Sequence, residues 1–294
     1  MRRNHLASGL ASILLAVAAA PVCGADRAVD PTFLRRHLPS VAPASSDLTT
    51  PTCRYKPVFG AGDKDARHLR GIVRFGEMIV DAGGKSPIVN HPDEEQVYVV
   101  LSGGGTLVYG QQRAAIRTGD FMYLPPGIPH GAESSGSSST RIIVMGFRIP
   151  AGSPVTPPSS LLKANMDEVP KQVVGNHPPS TLYQLLMGDT RSKRDRLAAA
   201  HVLTSLFTME FSHGGTNFPH HHETEEEIYL VLEGYGEMVA GGGMDGIEGR
   251  HPAKAGDAFF FRLNCTVGFY SGGKEGEPKA RILAVRSRFP FREH

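Results

Sequence analysis

Hydrophobic and polar positions alternate in short runs along the chain, and most runs are bounded by glycine, proline or asparagine. β-Branched and aromatic residues are frequent in these runs, which include 95–101, 141–148, 228–232, 258–261 and 281–285. An apolar period of two residues, interrupted by turn-forming residues, is typical of β-strands. The pattern therefore predicts an all-β fold.

The pattern occurs twice. His91 and Gln96 in the first half correspond to His222 and Glu227 in the second half, at a constant offset of 131 residues. A duplication of this length indicates two copies of one domain rather than a short-period solenoid. Between the copies, residues 149–180 are rich in proline and serine, a composition that predicts a linker.

The N-terminal residues have the pattern of a secretory signal peptide. Arg2 and Arg3 precede an apolar run, and small residues follow from Cys23,. We expect the mature protein to be periplasmic or secreted, without a membrane span, because the apolar run is short. The predicted division is a signal peptide (1–25), an N-terminal extension (26–59), an N-terminal barrel (60–148), a linker (149–180) and a C-terminal barrel (181–294).

Composition narrows the classes of function. The chain has 31 Lys+Arg against 29 Asp+Glu and a net charge of +2, so no strong positive field would attract nucleic acid,. We expect a small-molecule substrate and no nucleic-acid partner. Removal of the signal peptide would leave Cys53 and Cys265, which either form a disulfide in an oxidising compartment or remain as two buried thiols.

The second copy contains residue types and a spacing that suit a metal site. His220 and His222 lie two residues apart and face the same side of a strand, and Glu227 on the next strand can complete one face of a cation. Such a set leaves coordination positions open, which favours a catalytic site over a structural one. Fe or Mn is the favoured divalent metal, and Zn, Co or Ni also suits these ligands. A solvated polar loop is the alternative interpretation of the same run.

The repeated motifs resemble those of cupin domains. The second copy matches the first cupin motif at Gly214, His220, His222, Glu227 and Gly234. The first copy matches the second cupin motif at Gly119, Pro125, Gly127 and His130. The resemblance implies a bicupin, with two jelly-roll barrels in tandem, each able to hold a metal in its mouth.

Neither copy keeps the whole ligand set of the family. In the first copy Val89 and Gln96 replace a histidine and the glutamate, and in the second copy Val267 replaces the last histidine. The metal site is therefore expected in the C-terminal barrel. His91, Gln96 and His130 form a second candidate set in the N-terminal barrel.

The resemblance implies a metal-dependent enzyme of dioxygenase or decarboxylase type, acting on a small carboxylate or phenolic substrate. Bicupins similar to this chain include dioxygenases of aromatic substrates, oxalate decarboxylases and ureidoglycine aminohydrolases. Arg262 is expected to bind an anionic substrate from the turn beside the barrel mouth. Tyr229 shares the inward face of Glu227 and is expected to line the pocket.

Two other hypotheses remain open. A non-catalytic cupin would use its barrels to bind a small ligand or a metal without turnover. A metal-independent sugar isomerase or epimerase would use His91 or His130 as an acid or base. A homodimer is also expected, because exposed edge strands commonly pair.

Overall fold

A computed structural model describes residues 30–243 and 247–290, and the predicted signal peptide (1–25) lies outside these residues. The described residues form nineteen β-strands and three short 3-10 turns, at Leu38–Ser40, Ala66–His68 and Met166–Glu168. The predicted all-β class is therefore confirmed. Within the described ranges, the structure contains no helix that is both long and apolar enough to span a membrane.

Ten strands precede the second barrel, and all of them except the first build the first barrel. They are β1 (Phe33–His37), β2 (Cys53–Gly60), β3 (Ile72–Val80), β4 (Glu94–Ser102), β5 (Gly104–Tyr109), β6 (Gln112–Arg117), β7 (Asp120–Leu124), β8 (His130–Ser134), β9 (Thr140–Arg148) and β10 (Leu162–Asn165). A large sheet has the order β10-β7-β4-β9-β3-β2, and a small sheet has the order β6-β5-β8. Two facing antiparallel sheets of this kind enclose a jelly-roll core.

The second barrel repeats this arrangement. Its strands are β11 (Thr181–Asp189), β12 (Leu197–Ala200), β13 (Leu203–Phe211), β14 (Glu225–Glu233), β15 (Tyr235–Gly241), β16 (Glu248–Lys254), β17 (Asp257–Phe261), β18 (Thr266–Ser271) and β19 (Arg281–Arg288). The large sheet has the order β1-β17-β14-β19-β13-β11-β12, and the small sheet has the order β16-β15-β18. The predicted pair of tandem barrels is thus present.

The predicted extension and the predicted linker each contribute a strand to a barrel sheet. β1 belongs to the predicted N-terminal extension but pairs with β17 of the second barrel, with Phe33 opposite Phe261. β10 belongs to the predicted linker but pairs with β7 of the first barrel, with Leu162 opposite Tyr123. Both connecting segments therefore contribute backbone hydrogen bonds to a barrel sheet.

The central strands β4 and β14 are buried on both faces. Tyr98 and Tyr229 point into the core of their own barrels, whereas Val97 and Ile228 pack into a third core shared by both barrels. A strand that is covered on both faces reads as an almost continuous apolar run. This burial positions the inward-facing residue of β14, Glu227, inside the second barrel.

Two buried glutamates join the barrels reciprocally. Glu95 on β4 of the first barrel accepts hydrogen bonds from backbone N–H groups of the second barrel, at His201 (2.8 Å), Val202 (2.7 Å) and Leu203 (2.9 Å). Glu226 on β14 of the second barrel accepts hydrogen bonds from backbone N–H groups of the first barrel, at Arg70 (2.9 Å), Gly71 (2.8 Å) and Ile72 (3.2 Å). Each carboxylate therefore satisfies the backbone donors at the start of a strand in the opposite barrel.

The cysteines remain as separate thiols. Cys53 is buried in the core of the first barrel and Cys265 in the core of the second, and no disulfide joins them. The disulfide alternative is therefore not formed in this structure. Burial raises the pKa of the Cys53 thiol to about 12, which makes it a poor nucleophile,.

Candidate metal centre

The structure brings His220, His222 and Glu227 together at the mouth of the second barrel, where one ligand atom from each lies within 4.8 Å of the others. His220 is fixed by a backbone bridge to β18, in which its N–H donates to the Val267 carbonyl at 3.0 Å. Glu227 lies on β14, and its side chain is 2% exposed. The arrangement is the one that the spacing predicts.

His222 and Glu227 form an ion pair with each other at the mouth of the barrel. His222 Nε2 and Glu227 Oε2 are buried and lie 3.2 Å apart, but their orientation gives neither atom a hydrogen bond among the described residues. His220 Nδ1 lies 2.8 Å from the Phe218 carbonyl oxygen. Because a carbonyl oxygen only accepts, Nδ1 carries the hydrogen and Nε2 presents a lone pair. Orphaned buried acceptors that point to one place fit a bound cation.

The electrostatics of the trio follow from burial and mutual charge. Burial alone would raise the pKa of Glu227, but the neighbouring His222, Arg286 and His220 outweigh it and lower that pKa. Burial alone would lower the pKa of His222, but Glu227 outweighs it and raises that pKa. Burial dominates at His220 and lowers its pKa, which favours the neutral, metal-ligating form,.

A cavity of about 260 Å³ opens in front of the trio. Tyr229 lines it as predicted, and its hydroxyl accepts a hydrogen bond from Asn217 Nδ2 at 3.1 Å. Leu185, Phe207 and Tyr183 give the cavity an apolar wall. Its volume suits a small organic molecule rather than a polymer.

Two arginines line this cavity, Arg286 and Arg194, and Arg262 is not one of them. Arg286 on β19 is directly opposite Glu227 in the sheet, and its Nε lies 3.8 Å from Glu227 Oε1 without a hydrogen bond among the described residues. The buried hydroxyl of Ser205, the partner of Arg286 on β13, is also unpaired. Arg286 Nη1 already donates to Glu225 at 3.3 Å, which leaves Arg286 Nε and the Ser205 hydroxyl as unpaired donors that suit a carboxylate,.

Arg262 lies away from this cavity. Its guanidinium donates to the Pro31 carbonyl at 3.3 Å, and its backbone N–H donates to Thr32. The structure therefore does not bring Arg262 to the trio, because the turn before β18 packs against the N-terminal extension. Sequence analysis could not detect that contact, since it joins the two ends of the chain.

The second candidate set forms a hydrogen-bond network instead of an open ligand set. His130 Nε2 lies 2.9 Å from Gln96 Oε1, and the Gln96 amide donates to Glu94 at 2.7 Å. Arg74 pairs with Glu94 at 3.3 Å and with both oxygens of Asp47, at 2.7 and 2.9 Å. A buried guanidinium thus supplies the positive charge at the mouth of the first barrel.

His91 lies beside this hydrogen-bond network without joining it. Its Nε2 lies 3.5 Å from Asp47 Oδ2, too far for a hydrogen bond, and is buried without another partner among the described residues. The rings of His91 and His130 are 6.1 Å apart. In the part of the chain that the structure describes, these residues do not form a group of three metal ligands.

A further histidine that sequence reasoning missed lines the cavity. His177 lies in the linker, and its ring centroid is 5.5 Å from that of His220. No spacing motif marks it, because only the path of the linker brings it to the second barrel. The signal that was present is weak: a lone histidine in a proline-rich segment.

The fold and site define a tandem β-barrel protein with one candidate metal centre. A family model described as "Cupin domain" matches residues 76–146 and 207–283, which together make up half of the chain. The chain belongs to the cupin domain family, with one cupin domain in each half.

One curated protein matches part of this chain in sequence, and solved structures match its fold. The uncharacterised protein MJ1618 of Methanocaldococcus jannaschii is 30% identical over 71 residues, which is 24% of this chain and 57% of that protein, so the match spans little more than half of the curated relative. A putative glyoxylate-induced protein of Pseudomonas aeruginosa has a TM-score of 0.66 at 19% identity, covering 94% of this chain and 95% of the other. The Bacillus subtilis oxalate decarboxylase, which has Mn(II) centres, has a TM-score of 0.61 at 11% identity, covering 88% and 78%. Both structural identities are low, so these two structures establish the fold alone.

Proposed function

We propose that this protein is a metal-dependent bicupin enzyme that acts on a small carboxylate substrate in its C-terminal barrel. His220, His222 and Glu227 hold one divalent cation, with manganese or iron favoured. The observation that carries the proposal is the convergence of three mutually close ligand atoms, from His220, His222 and Glu227, on a cavity that Arg286 also lines. The Mn(II) centres of the structurally similar oxalate decarboxylase support manganese.

The division of labour follows from the geometry. A bound divalent cation supplies a Lewis acid that polarises a coordinated carboxylate or carbonyl group. Arg286 and Ser205 orient the substrate carboxylate, and the apolar wall excludes water from the rest of the molecule. The reaction class is decarboxylation or oxygen-dependent cleavage, since the trio leaves coordination positions open for both substrate and dioxygen.

The alternatives have less support. An isomerase that uses His130 as its base requires that residue to meet a substrate, but His130 is 1% exposed and both of its ring nitrogens face protein oxygens. A binding protein without turnover would share the metal and the cavity, and only an assay of turnover separates it from an enzyme. We also propose that the protein is exported to the periplasm or the medium. The intact mass of the mature protein, which shows whether the signal peptide is removed, would test this.

The metal is tested by elemental analysis of untagged protein. His222→Ala and His91→Ala form a matched pair, because they occupy equivalent positions in the two barrels. We expect about one metal ion per chain in the wild type and in His91→Ala, and loss of that metal in His222→Ala and in His220→Ala. Absence of metal from the wild type after anaerobic reconstitution with iron and manganese would contradict the proposal.

Turnover is tested on the reconstituted protein with a panel of small carboxylates that includes oxalate, following carbon dioxide release and oxygen consumption. Arg286→Gln should bind metal normally but lose activity. Metal binding without turnover of any carboxylate would favour the non-catalytic alternative.

A further inference from the structure

The linker carries a histidine whose hydrogen bonding prepares it to contact a molecule in the cavity. His177 Nδ1 lies 2.8 Å from the Asn217 carbonyl oxygen. Since a carbonyl oxygen can only accept, Nδ1 donates and the neutral ring keeps the lone pair on Nε2. Nε2 makes no hydrogen bond to the described residues, and it is the polar atom that the ring can offer to the cavity.

His177 and His220 are held in the same way by successive residues. The carbonyl of Asn217 accepts from His177, and the carbonyl of Phe218 accepts from His220, each at 2.8 Å. Successive carbonyls of an extended strand point in opposite directions. Phe218 departs from that geometry with a φ of 55°, in the left-handed region that a bulky residue rarely adopts,. The carbonyl groups on either side of the strained Phe218 Cα thus each accept from one imidazole,.

The support behind His177 is rigid. Asn217 is buried, donates to the Tyr229 hydroxyl at 3.1 Å and accepts from the Phe269 N–H at 2.8 Å. The His177 ring also packs against Tyr183, with centroids 5.1 Å apart. An acceptor held by a fixed backbone group is preorganised to select among ligands by their hydrogen-bonding pattern.

The cavity therefore presents two different polar groups to a substrate. Arg286 offers an unpaired Nε donor, which matches a carboxylate, whereas His177 offers an acceptor, which matches a hydroxyl hydrogen,. Leu185 and Phe207 provide an apolar wall between polar sites. A 2-hydroxy carboxylate with an apolar side chain satisfies all three demands.

We propose that His177 is a specificity-determining residue that accepts a hydrogen bond from the substrate hydroxyl, so that the C-terminal cavity selects 2-hydroxy carboxylates over carboxylates that lack the hydroxyl group. This inference rests on the proposed metal-dependent function of the same site. It assigns His177 to the substrate and not to the metal, in keeping with its absence from the group of mutually close ligand atoms.

The test compares mandelate with phenylacetate, which differ by the hydroxyl group alone. Dissociation constants are measured by calorimetry at pH 8 on Mn(II)-loaded wild type, His177→Phe and the control His221→Phe. The native His221 side chain is 56% exposed and lies between His220 and His222. Wild type and the control should bind mandelate more tightly than phenylacetate. In His177→Phe the ratio of the two dissociation constants should fall about tenfold, which corresponds to the loss of one hydrogen bond. His177→Gln keeps an acceptor oxygen and should lie between them.

Metal content is measured before any acid is added, which separates the two proposals. A wild type that binds no metal refutes the proposed function. A metal-loaded wild type that does not bind mandelate, or an unchanged preference in His177→Phe, overturns the role of His177 alone. Loss of metal in His177→Phe also overturns it, because His177 would then be a ligand.

Discussion

The reciprocal glutamates allow a sharp prediction about how the barrels are joined. Replacing Glu226 with alanine leaves three backbone N–H groups, those of Arg70, Gly71 and Ile72, without their acceptor. Each unpaired buried donor costs about 1–3 kcal/mol, and water that enters the vacated space recovers part of this. We therefore expect Glu226→Ala to lower the free energy of unfolding by about 3 kcal/mol.

Two further observations set the range. Burial raises the pKa of Glu226 in spite of its backbone donors, so desolvation already offsets part of the gain from its hydrogen bonds,. Glu95 has an additional donor, the Tyr123 hydroxyl at 3.0 Å. Glu95→Ala should therefore cost more than Glu226→Ala, about 4 kcal/mol. Losses of this size are a large share of the stability of an ordinary domain.

The assay is urea unfolding followed by tyrosine fluorescence and far-ultraviolet circular dichroism, since the chain contains no tryptophan,. Glu223→Ala is the control, because its side chain is 78% exposed and should change stability by less than about 0.5 kcal/mol,. The reasoning would be refuted if both buried-glutamate variants unfolded within about 1 kcal/mol of the control, a cost below that of a single unpaired donor.

Three more predictions concern pH, thiols and metal. Burial lowers the pKa of His130 to about 4. Because the unfolded ring has a pKa of about 6.5, stability is full above that pH and falls as the pH drops toward 4, by about 2 kcal/mol at pH 5. Urea unfolding at pH 7.5 and 5.0 should show that His130→Gln lacks this share of the pH dependence, and an equal dependence in both proteins would contradict the assignment. Cys53 and Cys265 are buried, so both should resist a thiol reagent until the protein unfolds, and mass spectrometry of native protein should find neither modified. Mn(II) at about one hundred times its dissociation constant should stabilise the wild type by about 2.7 kcal/mol and leave His222→Ala unaffected in the same urea assay.

The duplicated barrels and the ligand trio could be predicted from the sequence because their signals are local. His220, His222 and Glu227 lie within one short stretch, and strand periodicity fixes which side chains share a face. Arg286 could not be found this way. It meets Glu227 through the register between β14 and β19, which depends on how distant strands pair.

A run of three glutamates shows that local sequence does not predict the environment of each side chain. Glu225, Glu226 and Glu227 resemble a solvated charged segment, yet each has a different environment. Glu225 pairs with Arg286 at 3.3 Å, Glu226 is buried between the barrels, and Glu227 is buried inside the second barrel. A signal for Glu226 was present in the sequence, since Glu95 stands at the equivalent position of the first copy.

The divergence of the two barrel mouths follows from a complementary change at two equivalent positions. In the first barrel, Arg74 and Gly146 are paired on neighbouring strands, whereas the second barrel has Ser205 and Arg286 at the corresponding places. The arginine has thus changed strands, and a small residue faces it in both barrels. A Cβ atom at Gly146 would lie 1.9 Å from Glu94 Oε1, so a larger residue there would force the Glu94 carboxylate to move from its place beside Arg74.

The position of the arginine decides what each barrel can bind. From β3, Arg74 reaches Asp47 and Glu94 and is itself the buried cation of the first mouth. From β19, Arg286 stands to one side of Glu227, which leaves that carboxylate and its two histidines facing a cavity. The carboxylates of the first mouth, Asp47 and Glu94, are paired with Arg74, and position 96 holds a neutral amide. The same fold therefore provides one barrel whose mouth is filled by its own ion pairs and one whose carboxylate and histidines face a cavity.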